Sequence, residues 1–340
     1  MKHLQNVLYI LTENSYLHCD NGTICVKVGG TEKVRIPAHT IESIICLCNT
    51  TVSTPFIGFC SENQIALSFH GDNGKFYGRI YGAVNGNVLL RKKQYELIGK
   101  PKSTEVVRNI LHGKILNSKN TLMRSAREKN TDSETEFRNA ATLLAEQSEL
   151  LEKADSIDSM RGIEGAAASI YFRVFDNMLK TEENDMLFVK RSRRPPENRF
   201  NALLSFVYML LKNDMQSALE SVGLDPAAGY LHTLRPGRPS MALDLMEELR
   251  SPLCDRFVIS LVNLKQIKSN SFDTEAGVFH LKDDARRLVI KEWQTRKKET
   301  IIHPFLKEKI PIGLIPYCQA MLLARYFRGD MDGYPPFVWR

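Results

Sequence analysis

Short apolar segments separated by turn residues fill the first part of the chain, from residue 5 to about residue 92. Val7–Leu11 and Ser43–Leu47 are typical segments, and Gly29–Gly30 is typical of the turns between them. Short strands at this spacing predict a β-sandwich or a rolled sheet. We expect Thr54–Asn63 to add one short helix.

The hydrophobic period changes after this region. Val106, Val107 and Ile110 begin a series that recurs at helical spacing from Ser103 onward. Lys114 is expected on the exposed, basic side of the same helix. The second part of the chain is therefore predicted to be helical.

Length and composition agree with two folded domains. The chain has 340 residues, of which 43% are hydrophobic and 25% are charged, and these values are typical of globular proteins. We predict an α+β fold, with an N-terminal β-sandwich-like domain over residues 1–92 and a larger all-helical domain over residues 93–340. The β domain shows no catalytic pattern, so the chemistry is expected in the helical domain.

Cysteine usage and hydropathy indicate the compartment. The seven cysteines form an odd set without CxxC spacing, which favours reduced thiols in a cytoplasmic protein. No apolar run approaches the roughly 18 residues that a membrane-spanning helix needs. We therefore expect a cytoplasmic protein without a membrane segment.

The positive charge of the chain is moderate but clustered. Lys and Arg number 46 against 39 Asp and Glu, a formal net charge of +7. The most cationic segment contains Lys190, Arg191, Arg193 and Arg194, directly before an apolar helix. Clustered cations of this kind predict contact with phosphate groups.

A segment of mixed charge, Gly229–Pro252, carries the strongest chemical pattern. His232 is followed by a turn that contains Arg235 and Arg238, and Ser240 is expected to cap a helix that begins near Met241. The two arginines are expected either to bind phosphate oxygens or to brace the turn through carbonyl groups.

Three acids lie on the predicted helix of this segment. Asp244, Glu247 and Glu248 occupy positions i, i+3 and i+4 among apolar residues. Like charges one turn apart repel, and buried acids without a partner are costly. This pattern favours a cation held between the acids, although a solvated acidic stripe is the common alternative.

A fourth acid, Glu164, lies between Gly162 and Gly165 and is followed by a run of alanines. Small residues allow another backbone to approach closely. Glu164 is therefore expected either in a crowded place facing a ligand or at the solvated edge of a helix-packing stripe.

Three segments in the helical half carry a family resemblance: GIEGAAASIYF, RRPPENRFNALLSF and GYLHTLRPGRPSMALDLMEELRSP. Together they resemble the CRISPR-associated spacer-acquisition integrases of the Cas1 family. The resemblance implies a divalent metal held by Glu164, His232 and Glu247, with Asp244 as a supporting acid. Glu248 is the weaker candidate of the adjacent pair. Two carboxylates and one imidazole suit Mg²⁺ or Mn²⁺.

The resemblance also implies a function and partners. A member of this family inserts short spacers into a CRISPR repeat array, through attack of a 3′-hydroxyl on a phosphodiester. The implied partners are double-stranded DNA, a second copy bound through the β domain, and the small protein Cas2 in a heterohexamer. Two alternatives stay open: a metal-dependent repair nuclease, and a non-catalytic helical protein that binds nucleic acid.

Overall fold

The chain divides into two compact units. The computed structural model describes residues 4, 6–71, 76–80, 82, 88–128, 133–192, 196–275 and 277–339. The units are Met1–Asn85 and Gly86–Arg340. Strands dominate the first unit and helices the second, which confirms the α+β class. The expected boundary at residue 92 lies inside helix α2 (Val88–Glu96), which belongs to the second unit.

Eight strands are described in the first unit: β1 (Asn6–Ile10), β2 (Ser15–Asp20), β3 (Thr23–Val28), β4 (Thr31–Pro37), β5 (Ile41–Cys46), β6 (Thr50–Val52), β7 (Ala66–His70) and β8 (Phe76–Ile80). They form two four-stranded sheets, with orders β1-β5-β7-β8 and β4-β3-β2-β6. In the second sheet β4, β3 and β2 are antiparallel neighbours, and β6 runs parallel to β2.

One buried cluster joins both sheets and helix α1 (Thr54–Glu62). Leu17 and Ile24 of the second sheet pack in it with Ile44 of the first sheet and with Phe56 of α1. Because side chains alternate between the faces of a strand, the neighbours of Leu17 and Ile24 lie on the opposite face. The helix expected at residues 54–63 is confirmed, and the Ser53 side chain caps it.

The helices of the second unit are α2, α3 (Pro101–Arg127), α4 (Glu134–Glu152), α5 (Ile157–Arg173), α6 (Arg199–Ser221), α7 (Ser240–Met246), α8 (Arg256–Asn263), α9 (Asp283–Lys298) and α10 (Ile315–Arg328). The long helix α3 packs against α4, α5 and the turn that follows α7. Helix α6 is buried along most of its length, as its apolar sequence predicts.

The second unit also contains two short β-ribbons, which the prediction of an all-helical domain missed. Strands β9 (Phe272–Glu275) and β10 (Val278–Leu281) form one, and β11 (Thr300–Ile302) and β12 (Lys309–Pro311) form the other. Strands of three or four residues are too short to show a period. No described helix is long and apolar enough to cross a membrane, and all seven cysteines are free thiols.

Candidate metal centre

Helix α5 presents Glu164 toward α3. The Ser156 side chain caps α5 by accepting a hydrogen bond from the Ser159 amide, 3.1 Å away. The Glu164 carboxylate accepts a hydrogen bond from Lys114 Nζ, and its side chain is 28% exposed.

The glycines around Glu164 face open space. A Cβ atom built at Gly162 or at Gly165 would meet no other atom within 4 Å. The expected close approach of a second backbone is therefore wrong within the described part of the chain. The open side of α5 leaves room for another molecule beside Glu164.

Asp244 fixes the loop that carries His232. Its carboxylate accepts three backbone N–H bonds, from Tyr230 at 2.6 Å, Leu231 at 2.9 Å and His232 at 2.9 Å. Its Oδ1 also lies 2.7 Å from Nδ1 of the His232 ring. An ionised carboxylate only accepts, so this contact requires a proton on Nδ1. The imidazole is therefore held with Nε2 directed away from Asp244.

Two further residues hold this loop in place, Gly229 against α7 and Arg161 from α5. A Cβ atom at Gly229 would lie 2.5 Å from the carbonyl carbon of Ser240, so a larger residue does not fit there. The Arg161 Nε donates to the Leu231 carbonyl at 2.9 Å. Ser240 is the first residue of α7 rather than its cap, and its hydroxyl lies 3.3 Å from the Thr233 carbonyl.

The helix of the acidic segment changes its winding at the candidate site. The α-helical hydrogen-bond pattern ends at Met246, a 3₁₀ turn covers Glu247–Leu249, and a π-helical segment covers Arg250–Asp255. Such changes of winding often mark functional positions. At this point of the chain, the side chains of the adjacent residues Glu247 and Glu248 point in different directions.

Glu247 points into a group of cations. Its Oε2 lies 2.7 Å from Lys114 Nζ, and its Oε1 lies 2.8 Å from Arg250 Nη2 and 3.7 Å from His232 Nε2. Burial by itself raises the pKa of Glu247, but the charges of Arg250 and Lys114 outweigh burial and lower the pKa to about 2. Apart from this contact with Lys114, the buried Oε2 atom has no hydrogen-bond partner.

Glu248 points the other way, into the last segment of the chain. Its carboxylate accepts hydrogen bonds from the Tyr334 hydroxyl at 2.5 Å, the Gln319 side chain at 2.9 Å and the Phe337 amide at 2.9 Å. The Asn117 side chain donates to the Glu248 carbonyl at 2.7 Å. Burial raises the pKa of Glu248 to about 7 despite these donors. Glu248 therefore anchors the C-terminal segment and lies apart from the Glu247 contacts.

Lys114 joins the predicted metal ligands. Its ammonium contacts both Glu164 and Glu247, and His232 lies on the other side of Glu247. The expectation of an exposed Lys114 is wrong, because the side chain is 14% exposed. The donor atoms of Glu164, His232 and Glu247 do not all lie within 4.8 Å of one another. The three side chains share one neighbourhood, with an ammonium group between the two acids.

Lys114 and Arg250 were not among the predicted site residues. Arg250 follows Glu247 at i+3, a spacing that indicates an ion pair. Lys114 gave no such signal, because its partners come from α5 and from the 3₁₀ turn. Both residues line a pocket together with Glu247 and Asp255.

The predicted phosphate-binding residues have different surroundings. Lys190 is exposed and pairs with Glu197 at 3.1 Å. Arg191 is turned inward and donates to the Asn201 side chain at 2.8 Å. Two of the predicted residues, Arg193 and Arg194, lie outside the described residues.

The two arginines of the turn after His232 also differ. Arg235 is exposed at the surface of the turn. Arg238 is partly buried, and its Nη1 lies 3.5 Å from the Thr233 carbonyl. Of the two alternatives for Arg238, this contact agrees with bracing of the turn.

Comparison with known proteins decides the family. The family model described as "CRISPR associated protein Cas1" matches residues 8–295. The chain belongs to the Cas1 family. The CRISPR-associated endonuclease Cas1 1 of Chlorobaculum tepidum is 46% identical over 343 residues, covering 100% of this chain and 99% of that protein. The CRISPR-associated endonuclease Cas1 1 of Moorella thermoacetica is 43% identical over 343 residues, covering 100% of both. The predicted family and its nuclease activity are thereby confirmed.

Solved structures share the fold of this Cas1 family member. A CAS1 protein from Thermotoga maritima matches with a TM-score of 0.82 at 24% identity, covering 97% of this chain and 99% of that one. A chain of a Cas6-RT-Cas1–Cas2 complex matches with a TM-score of 0.84 at 22% identity, covering 100% of this chain and 36% of that one. A casposase bound to an integration product matches with a TM-score of 0.82 at 19% identity, covering 99% and 95%. At these identities the likeness establishes the fold alone.

Proposed function

We propose that this chain is a divalent-metal-dependent DNA endonuclease and integrase that inserts short spacers into a CRISPR repeat array. One observation carries the proposal. Glu164, His232 and Glu247 lie in one neighbourhood, with the Lys114 ammonium between the two acids. The similar proteins are named as CRISPR-associated endonucleases, and one protein of the same fold is a casposase with an integration product.

The donor set fits a hard divalent cation. Two carboxylates and an imidazole suit Mg²⁺ or Mn²⁺, and the imidazole shifts the preference toward Mn²⁺. The buried Oε2 of Glu247 has no hydrogen-bond partner besides Lys114, whose positive charge lies between the two acids. A metal ion held by Glu164, His232 and Glu247 would complete the coordination of that oxygen. When bound, such an ion polarises a phosphate and stabilises the developing charge on its oxygens.

Each neighbouring residue has a role in holding the ligands. Asp244 fixes the proton of His232 on Nδ1, so the lone pair of Nε2 faces Glu247. Arg250 keeps Glu247 ionised. With a metal ion held by the two acids, the Lys114 ammonium would be released from them and would be available to a phosphate oxygen.

The reaction needs no side-chain nucleophile. The 3′-hydroxyl oxygen of a DNA fragment forms a bond to a phosphorus of the repeat, and the bond from that phosphorus to the adjoining 3′-oxygen of the repeat breaks. The attacking hydroxyl loses its proton to solvent, and the released 3′-oxygen takes up a proton to become a hydroxyl. The number of phosphodiester bonds is unchanged, so the step requires no external energy source. Water in place of the hydroxyl gives strand cleavage.

Surface cations and partners complete the proposal. We assign phosphate contacts first to Arg235 and Lys190, which are exposed, and next to Arg238, which is partly buried. The inward-facing Arg191 is assigned to the support of this surface. We propose double-stranded DNA and Cas2 as partners in the cytoplasm, with a homodimer formed through the β-rich unit and two such dimers in the heterohexamer.

The test is an integration assay with purified protein, Cas2, a labelled fragment with free 3′-hydroxyls and plasmid DNA containing the repeat. Glu164→Gln and His232→Gln are each expected to reduce joining at least about a hundredfold, because each removes a metal ligand. Strand cleavage without joining by the unmodified protein would reject integration. Full joining by both variants would reject the metal site.

The matched control is Glu248→Gln, which removes the adjacent carboxylate while leaving Glu247 in place. Its side chain hydrogen-bonds to the C-terminal segment and not to Lys114. Joining is expected to stay within a few-fold of the unmodified protein, about 1 kcal/mol in barrier height. A loss as large as that of Glu164→Gln would assign Glu248 to the metal instead.

A further inference from the structure

A second group of donor side chains lies in the β-rich unit. His18 on β2, Cys25 on β3 and Glu32 on β4 each offer one ligand atom, and these atoms lie within 4.8 Å of one another. They come from three adjacent strands of one sheet. The group belongs to a different unit from Glu164 and Glu247, so it is independent of the function proposed above.

Strand register brings the three side chains to one face. His18 is directly opposite Cys25 in the β2–β3 pair, and directly opposite residues share a face. A bulge in the β3–β4 pair leaves Lys33 without a partner and sets Glu32 opposite Lys27. Lys27 and Cys25 are two residues apart on β3, so they lie on the same face. The bulge therefore turns Glu32, in place of Lys33, onto the face of Cys25.

The surroundings of His18 and Cys25 suit metal ligands. Cys25 is fully buried, although it faces away from the cluster that contains Leu17 and Ile24. The Nε2 atom of His18 is buried and has no hydrogen-bond partner. Its Nδ1 lies 3.5 Å from the Cys19 carbonyl, so a proton on Nδ1 leaves the lone pair on Nε2. A buried nitrogen without a partner is uncommon and calls for an explanation.

The charges around the group match a divalent cation. Arg35 donates to both oxygens of Glu32, at 2.9 and 3.0 Å, and to Asp20 at 2.8 Å. With Cys25 as a thiolate, the three negative charges of Cys25, Glu32 and Asp20 outnumber the positive charges of Arg35 and Lys27 on this face, and the remaining net charge of −1 favours a cation. Each carboxylate oxygen has further lone pairs, so Arg35 can orient Glu32 while it binds a metal, as outer partners do in metal sites.

We propose that His18, Cys25 and Glu32 bind a zinc-class ion on this face of the sheet. The sulfur, nitrogen and oxygen donors suit Zn²⁺, and a water molecule supplies the fourth position. A thiolate is a poor ligand for Mg²⁺, so this site and the centre at Glu164 select different metals. Binding releases the thiol proton of Cys25 to solvent and ties β2, β3 and β4 together.

The decisive experiment adds Co²⁺ to the metal-free full-length protein and records its absorption spectrum. A thiolate bound to Co²⁺ gives a ligand-to-metal charge-transfer band, which oxygen and nitrogen ligands do not give. We expect this band in the unmodified protein, with an amplitude that corresponds to one thiolate-bound Co²⁺ per chain, whatever the occupancy of the centre at Glu164. It should be absent in Cys25→Ser and present in Cys48→Ser, the matched control from the same unit. Lack of the band in the unmodified protein, or its persistence in Cys25→Ser, would overturn the proposal.

A second measurement covers variants that keep the thiol. The zinc affinity, measured by competition with a chromogenic chelator, should fall about tenfold to hundredfold in His18→Gln and in Glu32→Gln. Circular dichroism without metal checks that each variant is folded. An unchanged affinity in both folded variants would exclude His18 and Glu32 as ligands and overturn the three-residue site. An unchanged affinity in Glu164→Gln is expected, so failure of this proposal is distinguishable from failure of the integrase function.

Discussion

Replacement of Lys114 by methionine is the most informative perturbation of the candidate centre. The change keeps an unbranched side chain that is one atom shorter, and it removes the ammonium that contacts Glu164 and Glu247. The two carboxylates then lack their shared cation, although Arg250 still contacts Glu247 at 2.8 Å. Without divalent metal, Lys114→Met is therefore expected to be less stable than the unmodified protein.

The size of this effect follows from burial. Removal of one partner from a fully buried ion pair costs about 3–5 kcal/mol. Lys114 is 14% exposed and Glu164 is 28% exposed, so water partly screens the remaining charges. We expect a loss of about 2 kcal/mol in the free energy of unfolding, measured by urea denaturation in the presence of a chelator.

Mn²⁺ should reverse the loss. In the unmodified protein an ion has to displace the ammonium, whereas in Lys114→Met it does not. Mn²⁺ is therefore expected to bind the variant at least about tenfold more tightly, equivalent to about 1.4 kcal/mol, in isothermal titration calorimetry. At 100 times the dissociation constant the ion would stabilise the variant by about 2.7 kcal/mol.

Lys297→Met is the matched control. Lys297 Nζ lies 2.8 Å from Asp214 Oδ1 in a pair whose side chains are 7% and 10% exposed. Removal of the Lys297 ammonium should lower the free energy of unfolding. Mn²⁺ should stabilise Lys297→Met no more than it stabilises the unmodified protein. An equal gain from Mn²⁺ in both variants, or no gain in Lys114→Met, would refute the assignment of Glu164 and Glu247 to a metal.

Three further predictions follow from the surroundings of the centre. Burial raises the pKa of Asp255 to about 6, despite hydrogen bonds from the hydroxyls of Tyr171 and Tyr208. Folding then takes up a proton between about pH 4 and pH 6, so this group lowers stability by up to about 3 kcal/mol as the pH rises through that range. Asp255→Asn should remove this contribution in urea denaturation, and an identical pH slope in both proteins would contradict it. Gly229→Ala should weaken Mn²⁺ binding at least about tenfold, because the new Cβ displaces the His232 loop; unchanged affinity would show that the loop tolerates the atom. Asn117→Leu should cost about 3 kcal/mol in unfolding free energy because it leaves buried backbone groups without partners, and a loss below about 1 kcal/mol would show that the C-terminal segment holds without it.

The periodic features of the chain were predictable because they depend on neighbours in sequence. The alternating strands, the short helix at residues 54–63 and the buried helix at Arg199–Ser221 all follow from local patterns. The ribbon strands that begin at Phe272 and at Thr300 were not predictable, because three or four residues are too few to show an alternation of polar and apolar positions.

The candidate site was predictable only in part, for a physical reason. Glu164, His232 and Glu247 were recognisable by residue type and motif. Which of Glu247 and Glu248 faces Lys114 and which faces the C-terminal segment depends on tertiary packing, because adjacent residues of a helical turn point in different directions. The position of Lys114 likewise depends on how α3 packs against α5, which sequence spacing does not reveal.

A crystal structure of the protein with Mn²⁺, with anomalous scattering recorded for the metal, tests the central claim most directly. We expect one manganese peak within about 2.3 Å of donor atoms from Glu164, His232 and Glu247, with the Lys114 ammonium displaced from the two acids. No peak among these three residues, with Lys114 still bridging the carboxylates at saturating Mn²⁺, would contradict it.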